Sequence, residues 1–188
     1  LIRDDASTFH TYYMDVATGA PRYGNTQQGY ADDSCWSRGQ AWGIYGFLLS
    51  YIYTGDETMI ALSKRLANYF LNRLPEDYVC HWDLALVGTD ALRDSSSAAI
   101  AVCGLLELVK HLPVTDPDRE RYLEWAKGIM SSLTKHYLMG KEEKGNGLLK
   151  HSVYHLASNK GVDECASWGD YFYVEALVRF TQSWKLYW

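Results

Sequence analysis

Gln27-Gln28-Gly29-Tyr30-Ala31-Asp32-Asp33-Ser34-Cys35-Trp36-Ser37-Arg38-Gly39-Gln40-Ala41-Trp42-Gly43 passes from a polar loop into a helix. From Ser34 onward, Trp36, Ile44, Phe47, Leu48 and Tyr51 recur at helical spacing until Thr54-Gly55-Asp56 interrupts them. A second helix is predicted over 57–72, with Ile60, Leu62, Leu66, Ala67, Phe70 and Leu71 on its apolar side and Leu74-Pro75 closing it. The two make a helical hairpin.

The pattern repeats downstream. Asp94-Ser95-Ser96 offers N-cap residues before Ala98-Ala99-Ile100-Ala101-Val102-Cys103-Gly104-Leu105-Leu106, which is apolar on every side and predicts a fully buried helix ending before Pro113. Asp116-Pro117-Asp118 caps a partner helix carrying Leu123, Trp125, Ile129, Met130 and Leu133. The stretch 140–161 reads as a long loop with one short strand at 148–154, and a last helix is predicted over 167–184. Residues 1–33, punctuated by Thr18-Gly19-Ala20-Pro21 and Tyr23-Gly24-Asn25, read as loop. Three helix openings echo one another: Asp33-Ser34-Cys35-Trp36, Asp94-Ser95-Ser96-Ser97 and Cys165-Ala166-Ser167-Trp168. Their spacing of roughly sixty to seventy residues points to stacked helical hairpins, about two and a half of them. Such units need neighbours on both sides. The chain opens in a loop without a polar capping unit, so the expectation is a fragment, or a chain completed by a partner.

With a helix starting at Ser34, the residues Ser34, Arg38, Trp42 and Tyr45 fall on one stripe, setting a hydroxyl, a guanidinium and two aromatic rings side by side. Gly39, Gly43 and Gly46 fall on another face, where each costs about 1 kcal/mol relative to Ala unless close packing or ligand approach offsets it. Arg suits a carboxylate through two parallel hydrogen bonds, and a neighbouring Trp can cover a sugar ring, so the stripe fits an acidic sugar. The alternative is that Arg38 pairs internally with Asp32 or Asp33. Aromatic content leans the same way: 7 Trp and 15 Tyr against 5 Phe favour rings with a polar edge, which suit saccharide clefts or line a helical core.

Other classes are disfavoured. A net charge of -5, with no basic cluster, argues against nucleic acid. No apolar run reaches the roughly 20 residues needed to span a bilayer, and no membrane partner is expected. Cys35, Cys80, Cys103 and Cys165 form no Cys-x-x-Cys pair and read as buried free thiols. His151 and His155 share helical spacing, but the surrounding glycines indicate a loop, so no metal and no cofactor is expected. Asp32, Asp33, Asp90, Asp94, Asp163 and Asp170 read as residues near helix starts, ionised by backbone N–H groups and poor as acids.

Gly29-Tyr30 with Asp33-Ser34-x-Trp36-x-Arg38-Gly39-Gln40-Ala41-Trp42-Gly43 resembles the signature of the unsaturated glucuronyl hydrolases, family 88 of the glycoside hydrolases. Asp94-Ser95-Ser96-x-Ala98-Ala99-Ile100 and Trp168-Gly169-Asp170-Tyr171-Phe172-Tyr173-x-Glu175-Ala176-Leu177 resemble later blocks of that family. The resemblance implies an all-α fold, an (α/α)6 toroid of which residues 1–188 supply the C-terminal part, about half the hairpins, with the N-terminal part absent. It implies a glycosidase of polysaccharide degradation that removes unsaturated glucuronic acid from the non-reducing end of lyase-generated, glycosaminoglycan-type oligosaccharides, by hydration of the C4=C5 double bond. By this resemblance His10, Gln28, Arg38 and Trp42 bind the sugar, and Ser158 and Lys160 hold a substrate sulfate. The catalytic Asp residues would lie upstream of this chain, leaving the isolated segment inactive, and the partner would be the missing half or a second copy. A bacterial cytoplasm or periplasm would be the compartment. The alternatives are a related hydrolase acting on unsaturated rhamnogalacturonyl fragments of pectin, and a non-catalytic sugar-binding helical toroid.

Overall fold

The structure, a computed structural model, describes residues 1–186. A β-hairpin of β1 (Thr11–Met14) and β2 (Pro21–Asn25) comes first, then α1 (Ser37–Thr54), α2 (Glu57–Leu71), α3 (Ser95–His111) and α4 (Pro117–Ser132), which continues as one π-helical turn over Leu133–Tyr137. A second hairpin, β3 (Ser152–His155) and β4 (Lys160–Glu164), precedes α5 (Ser167–Thr181). Among the described residues, no helix is long and apolar enough to cross a membrane.

The helices fall into the expected hairpins, α1 with α2 and α3 with α4, and α3 packs between α1 and α5. The echoing helix starts have a structural meaning. Ser37 Oγ donates to Ser97 Oγ at 2.9 Å and Trp168 Nε1 donates to Ser96 Oγ at 3.0 Å, so α1, α3 and α5 begin side by side. Two turns further on, Tyr45 OH donates to Glu175 at 2.8 Å, and a Cβ on Gly104 would stand 2.8 Å from Ile44. Three parallel helices therefore form one layer, with α2 and α4 returning outside it. Every residue from Ser95 to Leu105 is buried, as its apolar surround requires.

Charge also ties this layer together. Arg179 on α5 reaches Glu175 at 2.9 Å and bonds Glu107 on α3 and Tyr45 on α1. Burial would raise the Glu107 carboxyl, but its bonds and attraction to Arg179 bring it below the ordinary range.

Several expectations need correction. Residues 1–33 are not all loop, because Thr18-Gly19-Ala20-Pro21 turns an antiparallel hairpin. The segment 140–161 carries one strand of a hairpin that runs on to Glu164, with Asn159 in the left-handed region at its tip. Helix α5 stops at Thr181, three residues short of Trp184. Helix α1 starts at Ser37, because Ser34 is held in the loop by Asp83, to which its Oγ donates at 2.6 Å. Three cysteines are buried, whereas Cys165 is exposed.

Candidate functional site

The N-terminal ends of α1, α3 and α5 form one edge of the molecule, and the loops feeding them bring the candidate residues together. Arg38, in the first turn of α1, is only 3% exposed. Its Nη1 donates to Asp94 Oδ2 at 2.6 Å, to Ser96 Oγ at 3.2 Å and to the Val153 carbonyl at 2.9 Å, while Nη2 donates to the Tyr154 carbonyl at 3.1 Å. The guanidinium lies over Trp36 at 4.5 Å and near Trp168 at 5.2 Å, so two indole faces add to its stabilisation. Arg38 is thus paired internally, but with Asp94, 56 residues away, rather than with Asp32 or Asp33. Among the described residues its Nε has no hydrogen-bond partner.

Asp94 is the buried pivot of this edge. It caps α3, its Oδ1 accepting from the Ser96 and Ser97 N–H groups, while its Oδ2 also accepts from Ser97 Oγ at 2.9 Å. Both carboxylate oxygens are thus taken up in bonds to Arg38 and to the start of α3, so neither faces a ligand.

Gln28 joins Arg38 on a single acceptor: its Nε2 donates to the Tyr154 carbonyl at 2.6 Å. His10 completes the group by stacking on Trp36, ring centroids 4.3 Å apart. Its Nδ1 accepts from the backbone N–H groups of Gln27 and Gln28, both at 3.1 Å, which places the ring proton on Nε2. Partial burial, with Arg38 and His155 nearby, lowers its pKa below the usual 6.5, so His10 is a neutral donor through Nε2 at pH 7.

The other candidates stand further out. Trp42 lies one turn beyond Arg38, half-buried, and packs edge-on against Phe172 at 5.1 Å. Ser158 and Lys160 are exposed at the tip of the β3–β4 hairpin. That hairpin links them to the rest, since its Tyr154 carbonyl receives Gln28 and Arg38 and its residue His155 lies close enough to act on His10. The expected stripe loses both ends: Ser34 precedes the helix, and Tyr45 is sealed in the core.

Asp83 escaped the sequence reading. It is fully buried and accepts from the N–H groups of Tyr30, Cys35 and Ala85 and from Ser34 Oγ. It thereby fixes the 29–35 loop that carries Gln28 into position. Trp168 and Tyr154 were also missed as walls of the site, although Trp168 stood in a quoted helix opening. Of the carboxylates read as lying near helix starts, Asp94 caps α3 and Asp170 sits in the first turn of α5, whereas Asp163 lies on β4 and pairs with His151 at 2.6 Å. Among the described residues no group of three or more His, Cys, Asp or Glu could hold a metal ion.

Comparison with known proteins bears directly on this arrangement. No family model matches the chain. The unsaturated chondroitin disaccharide hydrolase of Streptococcus pneumoniae is 52% identical over 189 residues, covering 100% of this chain and 48% of that protein. The crystal structure of the Streptococcus agalactiae unsaturated glucuronyl hydrolase superposes with a TM-score of 0.95 at 52% identity, over 100% of this chain and 47% of that one. The chain is a homologue of the unsaturated glucuronyl hydrolases. A mutant of the S. agalactiae glucuronyl hydrolase, solved in complex with dGlcA-GalNAc6S, matches with a TM-score of 0.89 at 52% identity, over 100% of this chain and 50% of that one. The chain spans about half the length of the curated relatives it matches.

Proposed function

We propose that residues 1–188 are the C-terminal part of a single (α/α)6 toroid catalytic domain, whose remaining hairpins come from polypeptide outside this chain. In the complete protein this domain removes unsaturated glucuronic acid from the non-reducing end of glycosaminoglycan-type oligosaccharides. The observation that carries the reading is the convergence of Gln28 and Arg38 on the Tyr154 carbonyl, beside His10, in a chain 52% identical to a chondroitin disaccharide hydrolase.

The roles follow from chemistry. The Nε edge of Arg38 addresses the sugar carboxylate, the Nε2–H of His10 and the Gln28 amide address hydroxyl or ring oxygens, and Trp42 covers the adjoining sugar. Ser158 and Lys160, exposed on their hairpin tip, suit an anionic sulfate at the far end of the substrate. The reaction is addition of water across C4=C5: a carboxylic acid delivers a proton to C4, water adds at C5, and the resulting hemiketal opens to release the sugar. That acid is assigned to the polypeptide outside residues 1–188, because Asp83 and Asp94, which brace this edge, are fully buried with their oxygens taken up by internal donors and out of reach of a sugar. The isolated chain is then a binding wall without its proton donor.

The test is to incubate the full-length protein with chondroitin-lyase and with rhamnogalacturonan-lyase products and follow the absorbance of the C4=C5 bond. Loss with the chondroitin products is expected. Loss with the pectin products alone would replace this substrate class, and loss with neither would leave a sugar-binding toroid.

A further inference from the structure

A cavity of about 550 Å³ opens between the α2–α3 loop and the π-helical end of α4. Its volume is that of a small-ligand site. None of His10, Gln28, Arg38, Trp42, Ser158 or Lys160 lines it. The Trp36–Trp82–Val153 cluster joins the two places: Leu92, which lines the cavity, packs against that cluster, while His10 and Arg38 lie on its Trp36.

The lining alternates donors and acceptors around an apolar floor. Leu92 and the buried ring of Tyr137 form the floor. Arg93 is anchored by its Nε on Asp77 at 3.0 Å, and among the described residues its Nη2 has no partner. His136 is exposed and likewise has no hydrogen-bond partner among them. His151 and Asp163 face each other at 2.6 Å. Both hold left-handed backbone conformations, φ 66° and φ 60°, beside the irregular register of the β3–β4 hairpin, and this turns their side chains toward each other. Asp90 adds a further acceptor at the rim.

Charge decides the ligand class. One guanidinium stands against the carboxylates of Asp77, Asp90 and Asp163, so an anion entering the cavity meets net repulsion. A neutral ring rich in hydroxyls uses both the donors and the acceptors, and its C–H face suits Leu92 and Tyr137. We propose that this cavity is a second saccharide-binding site, taking a neutral hexose or N-acetylhexosamine unit and rejecting uronic acids. It does not depend on the reading of the Arg38 site, whose preference would be the opposite.

The test is a titration of the full-length protein with N-acetylgalactosamine and, separately, with glucuronate, following the imidazole C–H resonances by NMR. Saturable shifts of His136 and His151 are expected with N-acetylgalactosamine, at a Kd of about 1 mM. Glucuronate should bind at least about tenfold more weakly, and His136→Ala should weaken the neutral sugar about tenfold. His136 is exposed, so its loss should leave the circular dichroism spectrum unchanged. No shift of either imidazole, shifts confined to His10, glucuronate binding as well as the neutral sugar, or an unaffected His136→Ala would each overturn the proposal.

Discussion

Replacing Asp94 should damage this chain more than any single apolar truncation at its surface. The carboxylate is fully buried and the Arg38 side chain is 4% exposed, so neither charge can be re-solvated in place. Asp94→Ala removes two contributions at once. The N-cap of α3, with bonds from the Ser96 and Ser97 N–H groups, contributes about 1 kcal/mol. Leaving Arg38 as an uncompensated buried cation costs about 3–5 kcal/mol. The expected loss is therefore about 4–6 kcal/mol, comparable to the whole stability of an ordinary domain of about 5–15 kcal/mol. Asp94→Asn keeps the capping oxygen and loses the charge, so it should lie near 3 kcal/mol. Urea unfolding at pH 7, followed by tryptophan fluorescence, measures all three proteins. Arg38→Met combined with Asp94→Ala should recover part of the loss, because an apolar pair leaves no bare charge behind. A loss under about 1 kcal/mol for Asp94→Ala would refute the reasoning, showing that Arg38 reaches other compensation.

Two further outcomes follow from local geometry and titration. A Cβ on Gly43 would stand 2.4 Å from Cδ2 of the buried Leu66, whereas one on Gly46 meets nothing within 4 Å. In thermal unfolding, Gly43→Ala should destabilise by about 1–3 kcal/mol and Gly46→Ala should stabilise by up to about 1 kcal/mol; the reverse order would contradict the packing of α1 on α2. Burial lowers the folded-state pKa of His10 and His81 below 6.5, so both contribute stability that is present above pH 6.5 and lost as pH falls through the depressed values. Unfolding free energy, measured by urea denaturation at a series of pH values, should decline as pH falls below 6.5 through the depressed values. His10→Asn, which keeps an acceptor near the Nδ1 position, should shrink that slope. An unchanged slope would mean that His10 is not desolvated.

The helical frame was legible because each inner helix announces itself twice, by a polar opening and by an apolar run. Asp94-Ser95-Ser96 before Ala98 to Leu106 gives both the cap and the all-round burial, and the structure has both. The parallel layer was foreshadowed by the three similar openings, whose residues touch across α1, α3 and α5. What stayed hidden depends on distant pairing. Spacing along α1 offers Asp32 and Asp33 to Arg38, and nothing local reveals that Asp94 arrives from the next hairpin. Asp83 likewise acts only through the fold, by holding Ser34 out of the helix. The first hairpin was read as loop because its short strands are half-exposed and flanked by turn residues, so no alternation stands out.

The most direct measurement is kcat/KM of the full-length protein carrying Gln28→Ala, with an unsaturated chondroitin disaccharide as substrate and loss of the C4=C5 absorbance as readout. Gln28 is partly exposed, and its side chain's bond to the Tyr154 carbonyl is not part of the core, so the variant should fold as the parent does. A wall built from His10, Gln28, Arg38 and Trp42 predicts a fall of about tenfold, the equivalent of one hydrogen bond to substrate. Unaltered kcat/KM in a folded variant would contradict it and move the sugar elsewhere on the molecule.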